Sequence, residues 1–346
     1  MEKKYRLTTE SMCIWNRELY FVPRECPIIC KWDFKSEAYE ILSEIPDENA
    51  LCERLFNGMC ILDGKMVLVP YNAEKIWIFE ISEKTWDSIS LNNLSSNELG
   101  ARYVGGKTVG NYAYMFGYES RNILRIDPRI LSAQIVKILD SGVNNAFWGQ
   151  SVALKNDMIF VANLKDQRIC RINTIDNKAE YIDVKKKPGA NCGADYFENS
   201  LYIAPYKGNK LYKINNSVVK EVILPDEYEC EKNMFNGIVS SKDTVLLYSP
   251  YDKSLIIRNI NSEYSFEKVG FIRYAIFDEK IGFIVSKKGR IEIFDHNMNL
   301  KNSLDAEIDK KEYIDIVGRD GLKCGLYQEN ENFGLGELLT VMMKLG

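Results

Sequence analysis

Aromatic side chains recur at similar places along the chain, and they are the residues best suited to binding chemistry. Those of interest are Tyr71, Tyr118, Trp148, Tyr206 and Tyr251. Each tyrosine follows a proline or glycine, as in Pro70-Tyr71, and Trp148 stands where a new strand-like run begins. Aromatic walls with a few polar anchors are the usual construction of a small-molecule site. Clustered aromatic and arginine side chains are also typical of the energetic centres of protein interfaces.

Amide, carboxylate and cationic side chains stand close to these aromatic residues in the sequence. They are Asn57, Arg102, Gln150, Asp195, Lys207, Asn236 and Arg273. A glycan or nucleoside would stack on the rings, whereas a peptide would use the amides and cations. A purely structural interpretation stays open, because neighbouring glycines let backbones crowd and the tyrosines could simply cover a core.

The histidine and cysteine contents exclude several kinds of catalysis. The only histidine, His296, lies in the polar segment 295–299, where we predict a solvated turn. One histidine cannot build a two-histidine metal site, and a turn position argues against a Ser–His or Cys–His nucleophile. The nine cysteines contain no Cys-x-x-Cys pair, so we interpret them as reduced thiols that are mostly buried. We therefore expect no metal and no cofactor.

The charge balance and the hydropathy pattern argue against a nucleic-acid partner and against a membrane-spanning segment. The chain has 45 Lys plus Arg against 49 Asp plus Glu, a net charge of −4, whereas a protein that follows nucleic-acid phosphates needs a basic surface. No apolar run approaches the ~20 residues that cross a bilayer, and the first residues have no signal-peptide pattern. These features predict a cytoplasmic protein with neither a nucleic-acid nor a membrane partner.

A repeat of about 44 residues would position the candidate binding residues. In each copy a short strand-like run ends at a bend, and the aligned bends are Pro23, Pro70, Gly117, Asn163, Pro205, Pro250 and Lys287. The runs alternate apolar and polar residues, and Asp63-Gly64 between two of them is a strong hairpin signal. Four short strands in a unit of this length are typical of a propeller blade, so we predict an all-β, seven-bladed β-propeller. In that fold the candidate residues would ring the mouth of the central channel.

The second copy resembles a blade of the kelch-type propellers. Its run Ile78-Phe79-Glu80-Ile81 is followed by a polar turn and Trp86, and Gly105-Gly106 resembles the kelch glycine pair that opens a blade. The resemblance covers about residues 11–302 and implies a propeller with a binding habit, not an activity. The other copies depart from the pattern, since most have one glycine or none and no second tryptophan stands at the place of Trp86.

The seven copies would occupy residues 1–308 and leave 309–346 as a C-terminal extension. We predict a strand at 313–317 and a short helix at 336–344, which would plug the ring or mediate self-association. A ring needs its last and first blades joined, because an open strand edge is a pairing hazard. Residues 5–8 or 313–317 could supply the closing strand, and we favour the N-terminal segment.

Two similar acidic segments precede the second and the sixth copies of the repeat. They are Pro46-Asp47-Glu48 and Pro225-Asp226-Glu227. Duplication explains them, but their acids could also overhang the mouth and pair with Arg102 or Arg273.

The function that the sequence favours is that of a cytosolic scaffold, which binds a peptide, a protein or a small polar ligand at the channel mouth. The alternative is an enzyme acting on a sugar or modified peptide through carboxylate and tyrosine acid–base groups. Such an enzyme would need two of these groups within about 5–10 Å in a closed pocket.

Overall fold

The computed structural model describes most of the first 317 residues. The described ranges are 4–48, 54–92, 94, 102–118, 122–139, 146–164, 168–182, 191–197, 199–206, 208–215, 218–229, 235–241, 244–260 and 263–317. Within them the chain forms seven sheets whose four consecutive strands pair antiparallel, and these sheets are the blades of a β-propeller. The predicted fold class is confirmed.

The first four blades follow a short N-terminal strand. The strands are β1 (Lys4–Arg6); β2 (Thr9–Trp15), β3 (Glu18–Pro23), β4 (Ile28–Asp33) and β5 (Glu40–Glu44) in blade one; β6 (Phe56–Leu62), β7 (Lys65–Pro70), β8 (Lys75–Glu80) and β9 (Thr85–Ser90) in blade two; β10 (Tyr103–Val109), β11 (Tyr112–Gly117), β12 (Ile123–Asp127) and β13 (Ser132–Ile135) in blade three; and β14 (Lys137–Ile138), β15 (Phe147–Lys155), β16 (Met158–Asn163), β17 (Ile169–Asn173) and β18 (Lys178–Ile182) in blade four. β14 lies parallel to β18, which gives blade four a fifth strand.

The last three blades precede a short strand and a helix. The elements are β19 (Asn191–Phe197), β20 (Ser200–Pro205), β21 (Lys210–Asn215) and β22 (Val218–Ile223) in blade five; β23 (Gly237–Ser241), β24 (Thr244–Tyr248), β25 (Ser254–Ile260) and β26 (Glu263–Gly270) in blade six; β27 (Tyr274–Asp278), β28 (Gly282–Lys287), β29 (Arg290–Phe294) and β30 (Leu300–Asp305) in blade seven; and β31 (Glu307–Asp309) with α1 (Lys310–Val317). A 3₁₀ turn, Asp226–Tyr228, precedes blade six.

The bends that define the repeat are the ends of the second strands. Six of the seven second strands end at the predicted residue, and β24 ends at Tyr248, two residues before Pro250. The Asp63-Gly64 turn joins β6 to β7, and both of its residues have positive φ, as a two-residue hairpin that follows the strand twist requires. The period of the sequence pattern therefore corresponds to the blade.

The innermost strands form a closed ring around the channel. Each one contacts the innermost strand of the next blade, and β27 contacts β2. The ring is tight because glycines line it: a Cβ at Gly105, whose φ is +70°, would lie 1.8 Å from the Gly149 carbonyl oxygen. The apolar core lies between adjacent blades. In one such layer Val67 and Ile78 of blade two pack with Met115 and Leu124 of blade three.

The two ends of the described chain pair with each other beside the ring. β1 and β31 form a two-stranded antiparallel sheet with Tyr5 opposite Ile308, and Leu7 N donates to Ala306 O at 2.7 Å. The favoured N-terminal segment therefore forms a strand that joins the two ends, but it pairs with β31 in a separate sheet and extends no blade. Packing closes the ring, since one core cluster joins Trp32 of blade one to Phe283 of blade seven.

Residues 313–317 are helical, contrary to the predicted strand. They belong to α1, in which Tyr313, Ile316 and Val317 are buried, a spacing that suits one face of a helix. The Tyr313 ring lies 5.0 Å from the ring of Tyr5, so β31 and its partner β1 hold the helix in place. The helix predicted at 336–344 lies outside the described residues. No helix in the described part of the chain is long and apolar enough to cross a membrane.

Candidate functional site

One end of the channel, here called the mouth face, collects the starts of the innermost strands and the ends of the second strands. The register shows this directly, because Phe56 pairs with Pro70 and Tyr103 pairs with Gly117. Antiparallel pairing of two consecutive strands brings the start of the first beside the end of the second. Residues that are about 44 apart in the sequence therefore lie around one opening.

The mouth face carries an arc of aromatic rings on blades three to six, here called the aromatic arc: Tyr118, Trp148, Tyr206 and Tyr251. Tyr118 meets Trp148 edge to face at 5.7 Å, and Trp148 Nε1 donates to Asn236 O at 2.6 Å. Burial raises the pKa of Tyr206, and the nearby hydroxyls of Tyr118 and Tyr251 raise it further. Tyr251 is 61% exposed and so presents its ring to solvent.

The other side of the mouth face holds three arginines around one carboxylate, here called the arginine cluster: Glu10, Arg24, Arg54 and Arg273. Glu10 is only 4% exposed and is paired with Arg54 Nη2 at 2.9 Å and Arg273 Nη1 at 3.1 Å. Burial alone would raise the pKa of Glu10, but the charges of Arg54, Arg24 and Arg273 outweigh burial and lower it. Glu10 is therefore a charged acceptor, and the guanidinium groups around it outnumber it.

Tyr71 extends the arginine cluster along the mouth. The Arg54 guanidinium lies over the Tyr71 ring at 4.3 Å from its centroid, and Arg102 lies at 5.5 Å from the same centroid. Both distances suit cation–π contact. The Nε atoms of Arg24, Arg54 and Arg273 are buried without a hydrogen-bond partner in the described chain. Such donors call for water or a ligand, because buried polar groups are rarely left unpaired.

A layer of buried polar side chains crosses the channel below the mouth face, and it is here called the central layer: Ser11, Asn57, Gln150, Ser151 and Tyr248. Gln150 Nε2 donates to Asn57 Oδ1 at 2.9 Å, and Ser151 Oγ lies 3.0 Å from Tyr248 Oη. Ser11 Oγ accepts from Gly58 N at 2.7 Å. We expected Asn57 and Gln150 at the mouth itself, and the structure instead buries both, at 0% and 6% exposure. They bridge blades across the axis.

A cavity of about 460 Å³ occupies the channel beyond the central layer, toward the face opposite the mouth. All seven innermost strands line it, and its wall includes Met12, Lys107, Gln150, Asp195, Ser240 and Tyr274. Asp195 was predicted at the mouth, but it stands fifth in β19 and faces this cavity. It accepts hydrogen bonds from Ser240 N at 2.5 Å, Ser240 Oγ at 2.7 Å and Tyr196 N at 2.9 Å. Burial raises the pKa of Asp195, although these bonds and Lys107 oppose the shift.

Among the described residues, Asp47 and Glu48 of the first acidic segment have partners other than Arg273, the pairing that one hypothesis required. Glu48 accepts from Trp77 Nε1 at 2.7 Å, and Asp47 lies 3.7 Å from Lys75 Nζ. Arg273 pairs with Glu10 instead. The sequence analysis missed Glu10 because it lies inside an alternating strand; the polar run Thr9-Glu10-Ser11 at the start of β2 was the available signal.

Lys207 and His296 add no described side chain to the mouth face. Lys207 is not among the described residues. His296 lies in a turn, as predicted, between β29 and β30 on the face opposite the mouth, with its ring 5.6 Å from that of Phe277. Cys192, at the start of β19, is one of the thiols predicted to be buried; it is fully buried, and burial raises the pKa of its thiol. In the described ranges, no three His, Cys, Asp or Glu side chains form a group able to hold a metal ion.

Comparisons with known proteins support the fold alone. No protein-family model and no curated protein matches the chain. Similar solved structures include a selenomethionine-substituted virginiamycin B lyase from Staphylococcus aureus, at 12% identity and TM-score 0.62 over 88% of this chain and 99% of that one. BamB from Moraxella catarrhalis is similar at 13% identity and TM-score 0.54, over 88% and 91%. A chain of a mitotic checkpoint complex is similar at 10% and 0.58, over 87% of each chain.

Proposed function

We propose that this protein is a non-enzymatic binding propeller whose mouth face recognises an acidic segment of a peptide or protein. The observation that carries the proposal is the arginine cluster, in which three guanidinium groups act on the carboxylate of Glu10. Arg24 also acts on the buried carboxyl group of Glu25, so the guanidinium groups still outnumber the carboxyl groups by three to two. Guanidinium groups bind carboxylates through charge-assisted, often bidentate, hydrogen bonds. An acidic ligand side chain would add the negative charge that the cluster lacks.

The aromatic arc supports a peptide rather than an isolated anion as the ligand. Tyr251 is exposed, and Trp148 and Tyr118 stand beside it on the same face. Aromatic and arginine side chains together are the residues that contribute most at protein interfaces. A peptide that crosses the mouth would therefore place an acidic residue at the arginines and apolar groups against the rings.

The enzyme alternative is less well supported at this face. Glu10 is held by two guanidinium groups with a lowered pKa, which suits electrostatic binding and not proton donation. One similar structure is a catalytically inactive virginiamycin B lyase with quinupristin, in which a single histidine is replaced by alanine, so that histidine matters in that protein. In this chain the only histidine, His296, belongs to an outer turn at the opposite end of the ring.

Three further features belong to the same proposal. We propose a cytoplasmic location, which the free thiols of the described cysteines support. Blades two and three retain the kelch-like residues Trp86 and Gly105-Gly106, and we propose a kelch-type origin for them. Self-association through the C-terminal segment stays a hypothesis about residues outside the described ranges.

The test compares a fluorescein-labelled hexaglutamate peptide with its hexaglutamine counterpart by fluorescence polarisation. We expect the acidic peptide to bind at least about 10-fold more tightly than the hexaglutamine peptide. We expect Arg273→Gln to weaken the binding of the acidic peptide about 10-fold, since a hydrogen bond to a charged group contributes about 1.5–3 kcal/mol. Arg258→Gln is the matched control, because Arg258 pairs with Glu267 at 2.6 Å on outer strands of blade six.

Equal affinity for the two peptides would overturn the proposal, as would Arg273→Gln binding like Arg258→Gln. Thermal melting of both variants shows whether either substitution affects the fold instead of the ligand.

A further inference from the structure

The channel cavity is chemically separate from the mouth face. The central layer lies between them, and none of the arginine cluster or the aromatic arc lines the cavity. The rim at the other end includes Asp278 and the exposed Glu279. A volume of about 460 Å³ falls in the range of about 300–1,000 Å³ that is usual for small-molecule sites. The cavity thus has the size of a site of its own.

The cavity wall carries one cation and several acceptors. The Lys107 side chain forms neither an ion pair nor a hydrogen bond in the part of the chain that the structure describes, and its charge acts on Asp195. Asp195 accepts three hydrogen bonds, and a carboxylate has about four acceptor positions, so it can receive one more donor.

Two buried polar atoms of the wall also lack partners. Gln150 Oε1 belongs to a side chain that is only 6% exposed, and neither it nor the Tyr196 hydroxyl has a hydrogen-bond partner in the described chain. Leaving such atoms unpaired is unfavourable, because a buried polar atom has given up its hydrogen bonds to water. Because both residues line the cavity, a polar ligand in it could satisfy both atoms.

The charges on the wall select between classes of ligand. Lys107 is the only cationic residue among the described residues of the wall, so a simple anion would also face the carboxylates of Asp195, Asp278 and Glu279, and a simple cation would lie against Lys107. A molecule with both charges can place each one beside its complement. One part of the wall is apolar and includes Met12, Val239 and Phe277, which offers a place for an apolar side chain.

We propose that the cavity binds a small zwitterion of the amino-acid or dipeptide class. Its carboxylate pairs with Lys107, its ammonium group donates to Asp195, and a further N–H of the ligand donates to Gln150 Oε1. The apolar side chain lies against Met12 and the aromatic ring of Phe277, both of which line the cavity. This inference does not depend on the proposed function of the mouth face.

Isothermal titration calorimetry with the dipeptide Leu-Leu, its N-acetyl derivative and its C-terminal amide tests the proposal on the full chain. We expect Leu-Leu to bind and each blocked derivative to bind at least 10-fold more weakly. Lys107→Met should weaken the binding of Leu-Leu by about the same factor and should abolish the difference in affinity between Leu-Leu and its amide. Asp195→Asn should abolish the difference between Leu-Leu and its N-acetyl derivative.

Lys220→Met is the matched control, because Lys220 is exposed on the outermost strand of blade five. Absence of Leu-Leu binding, equal binding of all three compounds, or equal effects of Lys107→Met and Lys220→Met would each overturn the proposal. The comparison of the three compounds on the unaltered protein decides the matter even where a variant folds poorly.

Discussion

Gln150 Nε2 donates a hydrogen bond of 2.9 Å to Asn57 Oδ1 and so joins blade four to blade two across the channel axis. Ser151 and Tyr248 make a second such link, from blade four to blade six. The channel is consequently divided. Arginines and aromatic rings occupy the mouth face, whereas Lys107 and carboxylates line the cavity beyond.

The bridge between Gln150 and Asn57 should contribute to the stability of the ring. Gln150→Ala removes the donor and leaves Asn57 Oδ1 buried without it, which should lower the free energy of unfolding by about 1–3 kcal/mol. Urea denaturation measures the change. Gln134→Ala is the control, because Gln134 is exposed and bonds only Arg125 on outer strands; its cost should stay under about 0.5 kcal/mol. Equal costs would contradict a bridging role.

Gly105 should be irreplaceable, whereas Gly110 should not. Gly105→Ala places a Cβ 1.8 Å from Gly149 O, so we expect a loss above about 4 kcal/mol or failure to fold. Gly110 also has a positive φ, +55°, but has nothing within 4 Å, so Gly110→Ala should cost only about 1–2 kcal/mol. Thermal melts followed by circular dichroism compare the two variants. Gly105→Ala combines the steric clash with the cost of a positive φ, whereas Gly110→Ala has only the cost of a positive φ. Similar melts would show that the ring can relax.

Glu48 should make the folded state less stable as the pH rises. Burial raises its pKa to about 7, against about 4.3 in an unfolded chain, so between these values the folded state binds more protons. Stability relative to Glu48→Gln should therefore fall from pH 4.5 to pH 7 by roughly 1–3 kcal/mol and level off above pH 7. The amide oxygen of the variant can still accept from Trp77. Parallel denaturation curves at each pH measure the difference, and a constant difference would contradict the shifted pKa.

Substitutions of Trp148 and Tyr251 should show which residue of the aromatic arc contributes to the stability of the fold and which contributes to peptide binding alone. Trp148 is half-buried, packs against Tyr118 and donates to Asn236 O, so Trp148→Ala should cost about 2–4 kcal/mol in addition to weakening peptide binding. Tyr251 is 61% exposed, so Tyr251→Ala should change the free energy of unfolding by less than about 0.5 kcal/mol and still weaken the binding of the hexaglutamate peptide. Thermal melts and fluorescence polarisation make the comparison. Unchanged peptide affinity in Tyr251→Ala would remove this residue from the binding face.

The repeat, the strand ends and the common position of the tyrosines could be predicted from the sequence. Alternation and turn residues act over a few neighbours, so Asp63-Gly64 specifies its hairpin wherever the blade lies. The same local rules placed Pro70 and Pro205 at strand ends. Residues 313–317 were misread because a short apolar run suits a strand or a helix, and the choice came from packing against Tyr5.

The depth of each polar side chain along the channel depends on the tertiary structure. Asn57, Gln150 and Asp195 all follow the start of an innermost strand, yet two of them bridge blades and the third faces the cavity. The partners of Glu10 are equally non-local, since Arg273 lies 263 residues away. The alternation along a strand indicates which face of the blade a residue occupies. The depth of that residue along the channel axis depends on how the seven blades pack around their glycines. The sequence determined the blades, and their packing decided the site.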